Sequence, residues 1–526
     1  MLTLNEIQDK FNIVEELLDR NSRERPHSTA LHIVSRSSFE VAKRITYSEL
    51  DKLASQVGNA LIQIGVKRGE RVGILQNDND TFVSVFLGVL KVGAVPILLS
   101  SFFDEDQLLF LLNDSEAKVI FSDAEYLDRV LKIRDRLVFT KWIVTDSDSP
   151  DTLQYDEFVS SQSSRLETMI GSKTDMAFWF YTSGSTGVPK AVVHLHRDIY
   201  RSSQPFYNDV LQATPKDVFF SGPKLFFSGG LSFGLYGPFL KGASTVLYFG
   251  RQSIASAIEV IKSAKPTLYY TVPTVYARIL SESNATASSL SSVRIFLTGG
   301  EPLSKVTFDQ WKARFGKEIV EAYGAAEFGR CISNFPGSAR PNTCGKLLDG
   351  FEARILDENG RELGINEIGT LFVKGEGNFS QYWHMPDATS HTIFGDWINT
   401  GDLFSKDEDG YFHFWGRNDF AFKINGLWAS PMEIEEAILS TGMVSDCCVV
   451  RTEDLNGLAV LIAYVVTPHE NPQINETLLR DELASKLDKY KIPKTFIVVG
   501  SLPRNSVGKL DRGLALEMAK KYLRAR

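Results

Sequence analysis

Apolar runs alternate with amphipathic stretches along the N-terminal part of the chain. Thr46-Tyr-Ser-Glu49 has the form of a helix-capping box, and apolar residues then recur at helical spacing from Leu53 to Leu61. Apolar runs predict buried strands at 71–75, 94–98 and 119–121, and amphipathic stretches predict helices at 81–92 and 104–113. This alternation of strand and helix predicts parallel α/β layers.

The same alternation returns in the middle of the chain. Strands are predicted at 245–249, 267–271 and 293–297, with a helix at 253–262. Turn residues become denser between 350 and 373, where Asp357-Glu-Asn-Gly360 is a hairpin signal. We therefore expect a small antiparallel sheet to follow the parallel layers.

A change of pattern after Gly416-Arg-Asn-Asp419 indicates a second, smaller domain. Ser430-Pro-Met-Glu433 predicts a helix start with a cap, a proline in the first turn and a glutamate that reaches back. Strands are predicted at 447–451, 458–466 and 495–499, and a helix at 476–487. These elements predict a small α+β domain.

Composition places the chain among ordinary globular proteins of more than one domain. Its 526 residues are too many for one core, and 43% are hydrophobic and 23% charged. A net charge of −8 gives no basis for binding nucleic acid or an anionic membrane. The most apolar stretch, 85–103, contains Lys91, Gly93 and Pro96 and so does not predict a membrane span.

The N-terminus and the cysteines bear on the compartment. The first residues include acids and lack the apolar core of a signal peptide, so we expect a cytoplasmic protein. None of the four cysteines forms a Cys-x-x-Cys pair, and a chain of this size does not need disulfides.

A glycine- and hydroxyl-rich loop is the first candidate for chemistry. The apolar run 176–180 predicts a buried strand, and Tyr181 to Lys190 follow it directly. Its glycines allow backbone N–H groups to converge on an anion, and its hydroxyls and lysine add donors. The pattern lacks the Gly-Lys-Ser/Thr ending of a Walker loop, and a solvated linker is the alternative. The predicted phosphate-binding residues are Thr182, Ser183, Gly184, Ser185, Thr186, Gly187 and Lys190.

The loop resembles the phosphate loop of the adenylate-forming superfamily, which includes acyl- and aryl-CoA ligases, luciferases and the adenylation domains of peptide synthetases. Further motifs follow in the family's order, so that the resemblance covers essentially the whole chain. They are Glu321-Ala-Tyr-Gly-Ala-Ala-Glu327, Trp397-Ile-Asn-Thr-Gly-Asp402, Gly416-Arg-Asn-Asp-Phe-Ala-Phe-Lys423 and Leu502-Pro-Arg-Asn-Ser-Val-Gly-Lys509. The resemblance implies a large α/β domain of parallel and mixed sheets with an antiparallel barrel-like subdomain, 1–417, and a small mobile α+β domain, 418–526, hinged near Asp419.

The resemblance also implies residue roles at the nucleotide. Tyr323 is expected to stack on adenine, Glu327 to hold Mg²⁺, Asp402 to bind the ribose hydroxyls, Arg417 to contact ribose or phosphate, and Lys509 to be the catalytic lysine. An isolated Thr-Gly-Asp is otherwise most often a turn. The remaining nucleotide-binding residues are Gly300, Glu301, Pro302, Gly324, Ala325 and Ala326.

Ala326 departs from the family pattern, which usually has threonine at this position. A hydroxyl there would touch the α-phosphate or the substrate carboxylate. Loss of one such donor typically costs about 10²- to 10³-fold in rate, unless another donor replaces it.

The segment from Lys423 onward resembles the loop that faces the thiol tunnel in the second half-reaction. Lys423, Gly426, Leu427 and Trp428 are the predicted tunnel residues. The alternative is an ordinary connector into a strand.

The acyl pocket is predicted around residues 223–234, which look most like those of benzoate-type aryl-CoA ligases. No aspartate lies between Ser221 and Phe239, so an α-amino acid, whose ammonium would be left unpaired, is disfavoured. Phe226 and Phe227 suit stacking on a flat ring, with packing in the core as the equal alternative. The other predicted wall residues are Ser228, Gly229, Gly230, Gly299, Gly324, Arg330 and Cys331.

Two of these wall residues carry specific expectations. Gly229 stands where related benzoate ligases often have an aromatic residue, and we expect it to enlarge the slot. Arg330 stands where they often have histidine, and it is expected to meet a polar substituent on the ring. The alternative for Arg330 is an outward-facing surface ion pair.

The resemblance implies that a carboxylic acid, benzoate- or cinnamate-like, attacks Mg²⁺-ATP to give acyl-AMP and pyrophosphate, and that coenzyme A then takes the acyl group. A carrier protein could replace coenzyme A as acceptor, because the motifs are shared. A nucleotide-binding pseudoenzyme is the reading that Ala326 motivates. The sequence leaves monomer and homodimer open.

Overall fold

The computed structural model describes residues 9–183, 189–250, 253–418, 422–424, 427–453, 459–467, 474–504 and 510–524. In this part of the chain the strands form two large sheets, one five-stranded sheet and two small C-terminal sheets. The predicted α/β layering is confirmed.

The first large sheet has nine strands and is parallel in its centre. Antiparallel strands complete both edges, so the sheet is mixed. In spatial order its strands are Lys346–Leu347, Gly329–Ser333, Ile319–Ala325, Ile295–Thr298, Leu268–Tyr270, Val218–Ser221, Ser244–Tyr248, Thr29–Val34 and Val41–Thr46.

The second large sheet has eight strands, and a parallel block is closed by an antiparallel hairpin. In spatial order its strands are Gln381–Tyr382, Pro189–Leu195, Met176–Ser183, Val95–Leu98, Arg71–Leu75, Val119–Ser122, Trp142–Thr145 and Leu153–Gln154. The predicted strand at 71–75 matches Arg71–Leu75. Its residues from Val72 onward are buried, which explains why an apolar run identified it.

A five-stranded antiparallel sheet follows, as the turn-rich stretch predicted. Its strands are Phe351–Leu356, Gly369–Gly375, Ile393–Phe394, Trp397–Lys406 and Phe412–Arg417. The hairpin signal is located correctly: Gly360 has φ of 79° and its N–H donates to Asp357 O at 3.0 Å.

The C-terminal part carries a two-stranded ribbon, Phe422–Ile424 with Leu427–Ala429, and a three-stranded sheet of Asp446–Glu453, Ala459–Val466 and Thr495–Val498. Helices pack on the three-stranded sheet, and separate apolar clusters form the core of this unit. The predicted α+β character is thus present.

The helices of the described residues connect and flank these sheets. The α-helices are Arg20–Glu24, Tyr47–Gln63, Asp80–Lys91, Glu105–Asp114, Ala124–Ile133, Tyr155–Ser160, His196–Pro205, Ser228–Leu231, Gly237–Leu240, Ile254–Ala264, Pro273–Ile279, Lys305–Phe315, Pro386–Thr392, Pro431–Leu439, Glu476–Ala484 and Arg512–Arg524. Short π turns are Glu15–Asp19, Phe206–Val210 and Ser232–Tyr236, and 3₁₀ turns are Arg134–Arg136 and Lys489–Lys491.

Caps decide several helix boundaries. The capping box of Thr46 and Glu49 is present, as predicted. The helix predicted at 81–92 instead spans Asp80–Lys91, because the Asn79 side chain accepts from Phe82 N and sets its start.

The second predicted capping box is only half correct. Ser430 caps the helix Pro431–Leu439 by accepting from the backbone N–H of Met432 and of Glu433. The Glu433 carboxylate does not complete the box, because it accepts from Lys491 Nζ at 2.7 Å.

Tight packing joins the helices and sheets into a buried core. Gly88 lies where an added Cβ would come within 2.7 Å of Ala54 O, so the helices Tyr47–Gln63 and Asp80–Lys91 approach closely there. Trp179 and Trp311 are among the largest fully buried side chains, and all four cysteines are buried and free. No helix in the described residues has the length and apolar character to cross a membrane.

Candidate active site

The two strands that flank the predicted phosphate loop belong to the eight-stranded sheet. Met176–Ser183 pairs with Pro189–Leu195 in antiparallel register, with Thr182 opposite Lys190 and Ser183 opposite Pro189. The strand therefore continues three residues beyond the predicted end at 180, because the ladder extends to the loop. The loop residues Gly184, Ser185, Thr186 and Gly187 lie outside the described residues.

Tyr382 links Lys190 to the predicted metal ligand Glu327. Its strand, Gln381–Tyr382, pairs with Pro189–Leu195, and its hydroxyl donates to Glu327 Oε1 at 2.7 Å. Lys190 Nζ lies 5.2 Å from the centroid of the Tyr382 ring. Burial raises the pKa of Tyr382 and the Glu327 carboxylate raises it further, so the phenol stays protonated and can donate.

Backbone hydrogen bonds hold the turn that carries Glu327. His194 Nε2 lies 2.8 Å from Ala326 O, and Phe379 N donates to Glu327 O at 2.7 Å. Burial lowers the pKa of His194 to about 4, so the ring is neutral and the contact assigns the proton to Nε2. Ala326 itself is buried and offers no side-chain donor. The turn is thus held by residues from distant segments of the chain.

The residues predicted for adenine and ribose meet at a single point. The Tyr323 hydroxyl donates to Asp402 Oδ2 at 2.6 Å, and Arg417 Nε lies 3.7 Å from Asp402 Oδ1. Burial first, and then the Asp402 carboxylate, raise the pKa of Tyr323 well above its ordinary value, so it remains a donor. Asp402 and Arg417 face each other across paired strands of the five-stranded sheet.

Gly300, Glu301 and Pro302 follow the strand Ile295–Thr298 of the nine-stranded sheet. This strand pairs in parallel with Ile319–Ala325, the strand that contains Tyr323. Ligands of such sheets bind at the carboxyl ends of the strands. A Cβ on Gly299 would come within 2.5 Å of Ala322 O, so glycine allows these two strand ends to approach. The position suits the predicted nucleotide contact.

Tyr270, which the sequence reasoning missed, is the centre of the predicted acyl wall. A Cβ on Gly229 would lie 2.7 Å from its hydroxyl, and one on Gly299 would lie 4.0 Å from its ring. The extra space expected at Gly229 is therefore occupied by Tyr270, and that expectation is wrong. Tyr270 reaches this position because its strand, Leu268–Tyr270, pairs with strands that are distant in sequence, which no local motif indicates.

Arg330 points inward and not into a surface ion pair. It lies opposite Gly324 in the strand ladder, and its Nη1 donates to Ser232 Oγ at 2.8 Å. A Cβ on Gly324 would come within 2.1 Å of Gly329 O, so only glycine allows this close approach of the two strands. Arg330, Gly324, Gly299 and Gly229 are thus brought together.

Cys331 follows Arg330 at an irregular point of the strand ladder. Tyr323 pairs with Ile332 and Gly324 with Arg330, so Cys331 lies between the two pairs, and it is fully buried. Burial raises the pKa of its thiol, and the Asp402 carboxylate acts in the same direction. The place of Cys331 in the acyl wall stays a prediction.

Phe226 and Phe227 pack against each other, with ring centroids 4.5 Å apart, and against the exposed Phe102. Phe226 is buried in the core, and Phe227 is half-buried. Ser228 and Gly230 begin the helix that follows, and a Cβ on Gly230 would overlap Lys224 O.

Three predicted residues, the hinge Asp419, the tunnel residue Gly426 and the catalytic Lys509, lie outside the described residues. The backbones of the other tunnel residues, Lys423, Leu427 and Trp428, form the two-stranded ribbon, with Lys423 opposite Trp428. An antiparallel bridge between Arg504 and Leu510 closes the loop that carries Lys509.

Two charge pairs fix the base of the Lys509 loop. Arg504 Nη2 donates to Asp446 Oδ2 at 2.9 Å. Arg512 donates to both oxygens of Glu435 at 2.6 Å, a two-point contact within the C-terminal unit. These contacts tie the described residues on either side of the loop to the rest of the C-terminal unit.

Glu327 is the candidate Mg²⁺ ligand of the site, and most other ligands would come from the substrate's phosphates and from water. No group of three or more His, Cys, Asp or Glu that could hold a metal occurs among the described residues. Mg²⁺ commonly binds through one or two carboxylates, phosphate oxygens and water, and Glu327 can supply such a carboxylate.

Comparison with known proteins agrees with this arrangement. The AMP-binding enzyme family model matches residues 18–383, and that of the AMP-binding enzyme C-terminal domain matches residues 433–509. The chain is 32% identical over 515 residues to the 4-hydroxybenzoate–CoA/benzoate–CoA ligase of Rhodopseudomonas palustris, covering 97% of this chain and 94% of that protein. It is 30% identical over 512 residues to the benzoate–CoA ligase of Thauera aromatica, covering 96% of each.

A solved structure shows the same fold. The crystal structure of the anthranilate CoA ligase AuaEII in complex with anthranoyl-AMP matches with a TM-score of 0.93 at 30% identity, covering 100% of both chains. The first family match alone spans more than half of this sequence. The chain therefore belongs to the AMP-binding enzyme family.

Proposed function

We propose that the protein activates an aromatic carboxylic acid with ATP to an acyl-AMP and then transfers the acyl group to coenzyme A. The observation that carries this proposal is the meeting of two sets of residues on adjacent strands. Tyr323, with its bond to Asp402, and Gly324, opposite Arg330, are neighbours on Ile319–Ala325. The nucleotide and the acyl group would thus be held side by side, as attack on the α-phosphorus requires.

In the first half-reaction, repulsion between the acid's carboxylate and the triphosphate must be overcome. Lys190 and the loop after Thr182 would provide donors for the phosphates, and Tyr323 and Asp402 would hold adenosine. Mg²⁺ at Glu327 would neutralise phosphate charge. Lys509 would bring a further positive charge to the oxygens that carry charge in the transition state.

In the second half-reaction the C-terminal domain would turn about Asp419. We take residues 1–417 and 418–526 as the two domains. Gly426, with Lys423, Leu427 and Trp428, would then line the path of the coenzyme A thiol to the acyl carbon, and AMP would leave.

The relatives' names support coenzyme A as the acceptor, whereas nothing in the described residues favours a carrier protein. A pseudoenzyme has one observation in its favour, because the side chain of Ala326 is a methyl group that cannot donate a hydrogen bond. The catalytic proposal requires other donors at the α-phosphate. We keep a cytoplasmic location as part of the proposal.

Acid-dependent ATP–pyrophosphate exchange tests the proposal. Benzoates and cinnamates should drive exchange faster than leucine, phenylalanine or palmitate, because the predicted pocket segment carries no acidic partner for an ammonium. Faster exchange with leucine, phenylalanine or palmitate than with every aryl acid would contradict the aromatic assignment. ATP binding without exchange for any acid would favour the pseudoenzyme.

A further inference from the structure

The guanidinium of Arg330 lies against two aromatic rings in the predicted acyl wall. Its central carbon is 4.9 Å from the ring centroid of Phe206 and 5.0 Å from that of Tyr270. Tyr270 is also the residue that fills the space beside Gly229. The positive charge is therefore held within the wall that would contact the acyl group.

The polar groups around this cation are neutral. Arg330 Nη1 donates to Ser232 Oγ, which also lies 2.8 Å from the Tyr207 hydroxyl. Burial raises the pKa of Tyr207 and of Tyr236, so both phenols remain protonated near neutral pH. Within the described part of the chain, Arg330 forms no ion pair with an aspartate or glutamate, and the titratable groups beside it are Tyr207, Tyr236 and Tyr270, the last through a side-chain hydrogen bond.

Two poorly exposed cations of this chain have their own counter-ions, whereas the partly buried Arg129 is held by the backbone carbonyls of Ser101 and Phe103. Lys91 Nζ lies 2.9 Å from both Asp19 and Asp51, and Arg512 binds both oxygens of Glu435. A cation removed from water without a partner loses hydration and gains no opposite charge in return. The contrast of Arg330 with Lys91 and Arg512 leads us to look for its counter-charge in the bound acid.

We propose that the activated acid carries a second anionic group, a carboxylate on its aromatic ring, which pairs with Arg330. This inference rests on the proposed activation of an aromatic acid and narrows it to aromatic dicarboxylates. A guanidinium can donate two parallel hydrogen bonds to one carboxylate, which gives both affinity and orientation. The pair should raise kcat/KM for a matching dicarboxylate over benzoate by about 10- to 100-fold.

The experiment measures kcat/KM in ATP–pyrophosphate exchange with the full-length protein. The acids are benzoate, the monohydroxybenzoates, the three benzenedicarboxylates and the aliphatic succinate. One benzenedicarboxylate should exceed benzoate by about 10-fold or more. Arg330→Met should bring the dicarboxylate-to-benzoate ratio down to about one or below. Arg330→Lys keeps the positive charge but cannot donate two parallel hydrogen bonds from one planar group, so it should show an intermediate ratio.

Arg340→Met is the matched control. Arg340 also lies over a tyrosine ring, 4.3 Å from the centroid of Tyr411, but it pairs with Asp407 and Asp409. Its replacement should leave the dicarboxylate-to-benzoate ratio as in the wild type. Circular dichroism verifies that each variant is folded. If Arg330→Met does not fold, the ranking of the acids by the wild-type protein tests the inference.

The outcomes separate this inference from the proposed function. Wild-type exchange that is faster with benzoate or a hydroxybenzoate than with every benzenedicarboxylate would overturn the inference and leave the aryl-acid function standing. A preference for succinate over all aromatic acids, or an unchanged ratio in Arg330→Met, would also overturn it. Exchange with none of these acids, and with no cinnamate, would overturn both.

Discussion

Tyr382→Phe removes one hydroxyl at the site and leaves the ring in place. The hydroxyl donates to Glu327 Oε1 at 2.7 Å, and the side chain is only 6% exposed. That separation is typical of a hydrogen bond from O–H to a carboxylate, and such bonds contribute about 1.5–3 kcal/mol. Lys190, which lies 5.2 Å from the ring centroid, keeps its aromatic contact in the variant.

Loss of the Tyr382 hydroxyl should therefore affect Glu327 more than Lys190, the predicted phosphate-binding lysine. If Glu327 holds Mg²⁺, the variant should need about 10- to 100-fold more Mg²⁺ for half-maximal adenylation, because partners that orient metal ligands typically have effects of this size. The assay is pyrophosphate release at saturating acid and ATP across a Mg²⁺ titration.

Tyr47→Phe provides the control for the loss of a buried tyrosine hydroxyl. Tyr47 is fully buried, and its hydroxyl donates to Ala243 O at 2.6 Å, a contact unrelated to the motifs. This variant should lose some stability and keep the wild-type Mg²⁺ dependence. An unchanged Mg²⁺ dependence in Tyr382→Phe would refute the view that this hydroxyl orients a metal-binding carboxylate.

Two further predictions concern the half-reactions and pH. Lys509→Ala should abolish acid-dependent pyrophosphate exchange but should still convert supplied acyl-AMP and coenzyme A to thioester. Gly426→Leu should keep pyrophosphate exchange and lose thioester formation. Equal loss of the same half-reaction in both variants would exclude domain alternation. Burial raises the pKa of Glu321 to about 8, so between pH 5 and 8 the native state keeps a proton that the unfolded state releases. The free energy of unfolding in urea should fall as pH rises through this range, and Glu321→Gln should flatten that slope; a slope as steep as that of the wild type would show that Glu321 is not its source.

The layered fold could be predicted because its strands are buried on both faces. Such strands appear as short apolar runs, and Arg71–Leu75 and the neighbouring helix Asp80–Lys91 were located within a residue. The motifs likewise indicated Tyr323 and Asp402, which the structure joins by a hydrogen bond.

The helical stretch from Ser228 to Leu240 could not be read from local preference. Gly229, Gly230, Gly234 and Gly237 all disfavour a helix, but close packing requires them. A Cβ on Gly237, for example, would come within 2.2 Å of the Tyr207 ring. Tertiary contact therefore overrides propensity in this segment, which also includes the π turn Ser232–Tyr236.

Tyr270, Tyr382 and His194 were missed for a different reason. Each reaches the site from a strand distant in sequence, and no local motif marks it. Long-range pairing and contacts, which depend on the whole fold, bring these three residues to the site.

The central claim is that one site makes an acyl-AMP from an aryl acid and then passes the acyl group to a thiol. Mass spectrometry of a single-turnover reaction tests it most directly, with enzyme in excess over the acid and Mg²⁺-ATP supplied first. The account predicts aryl-AMP and pyrophosphate before coenzyme A is added, and aryl-CoA with AMP afterwards. Formation of ADP and phosphate, or of no acid-dependent pyrophosphate with any aryl acid, would contradict it.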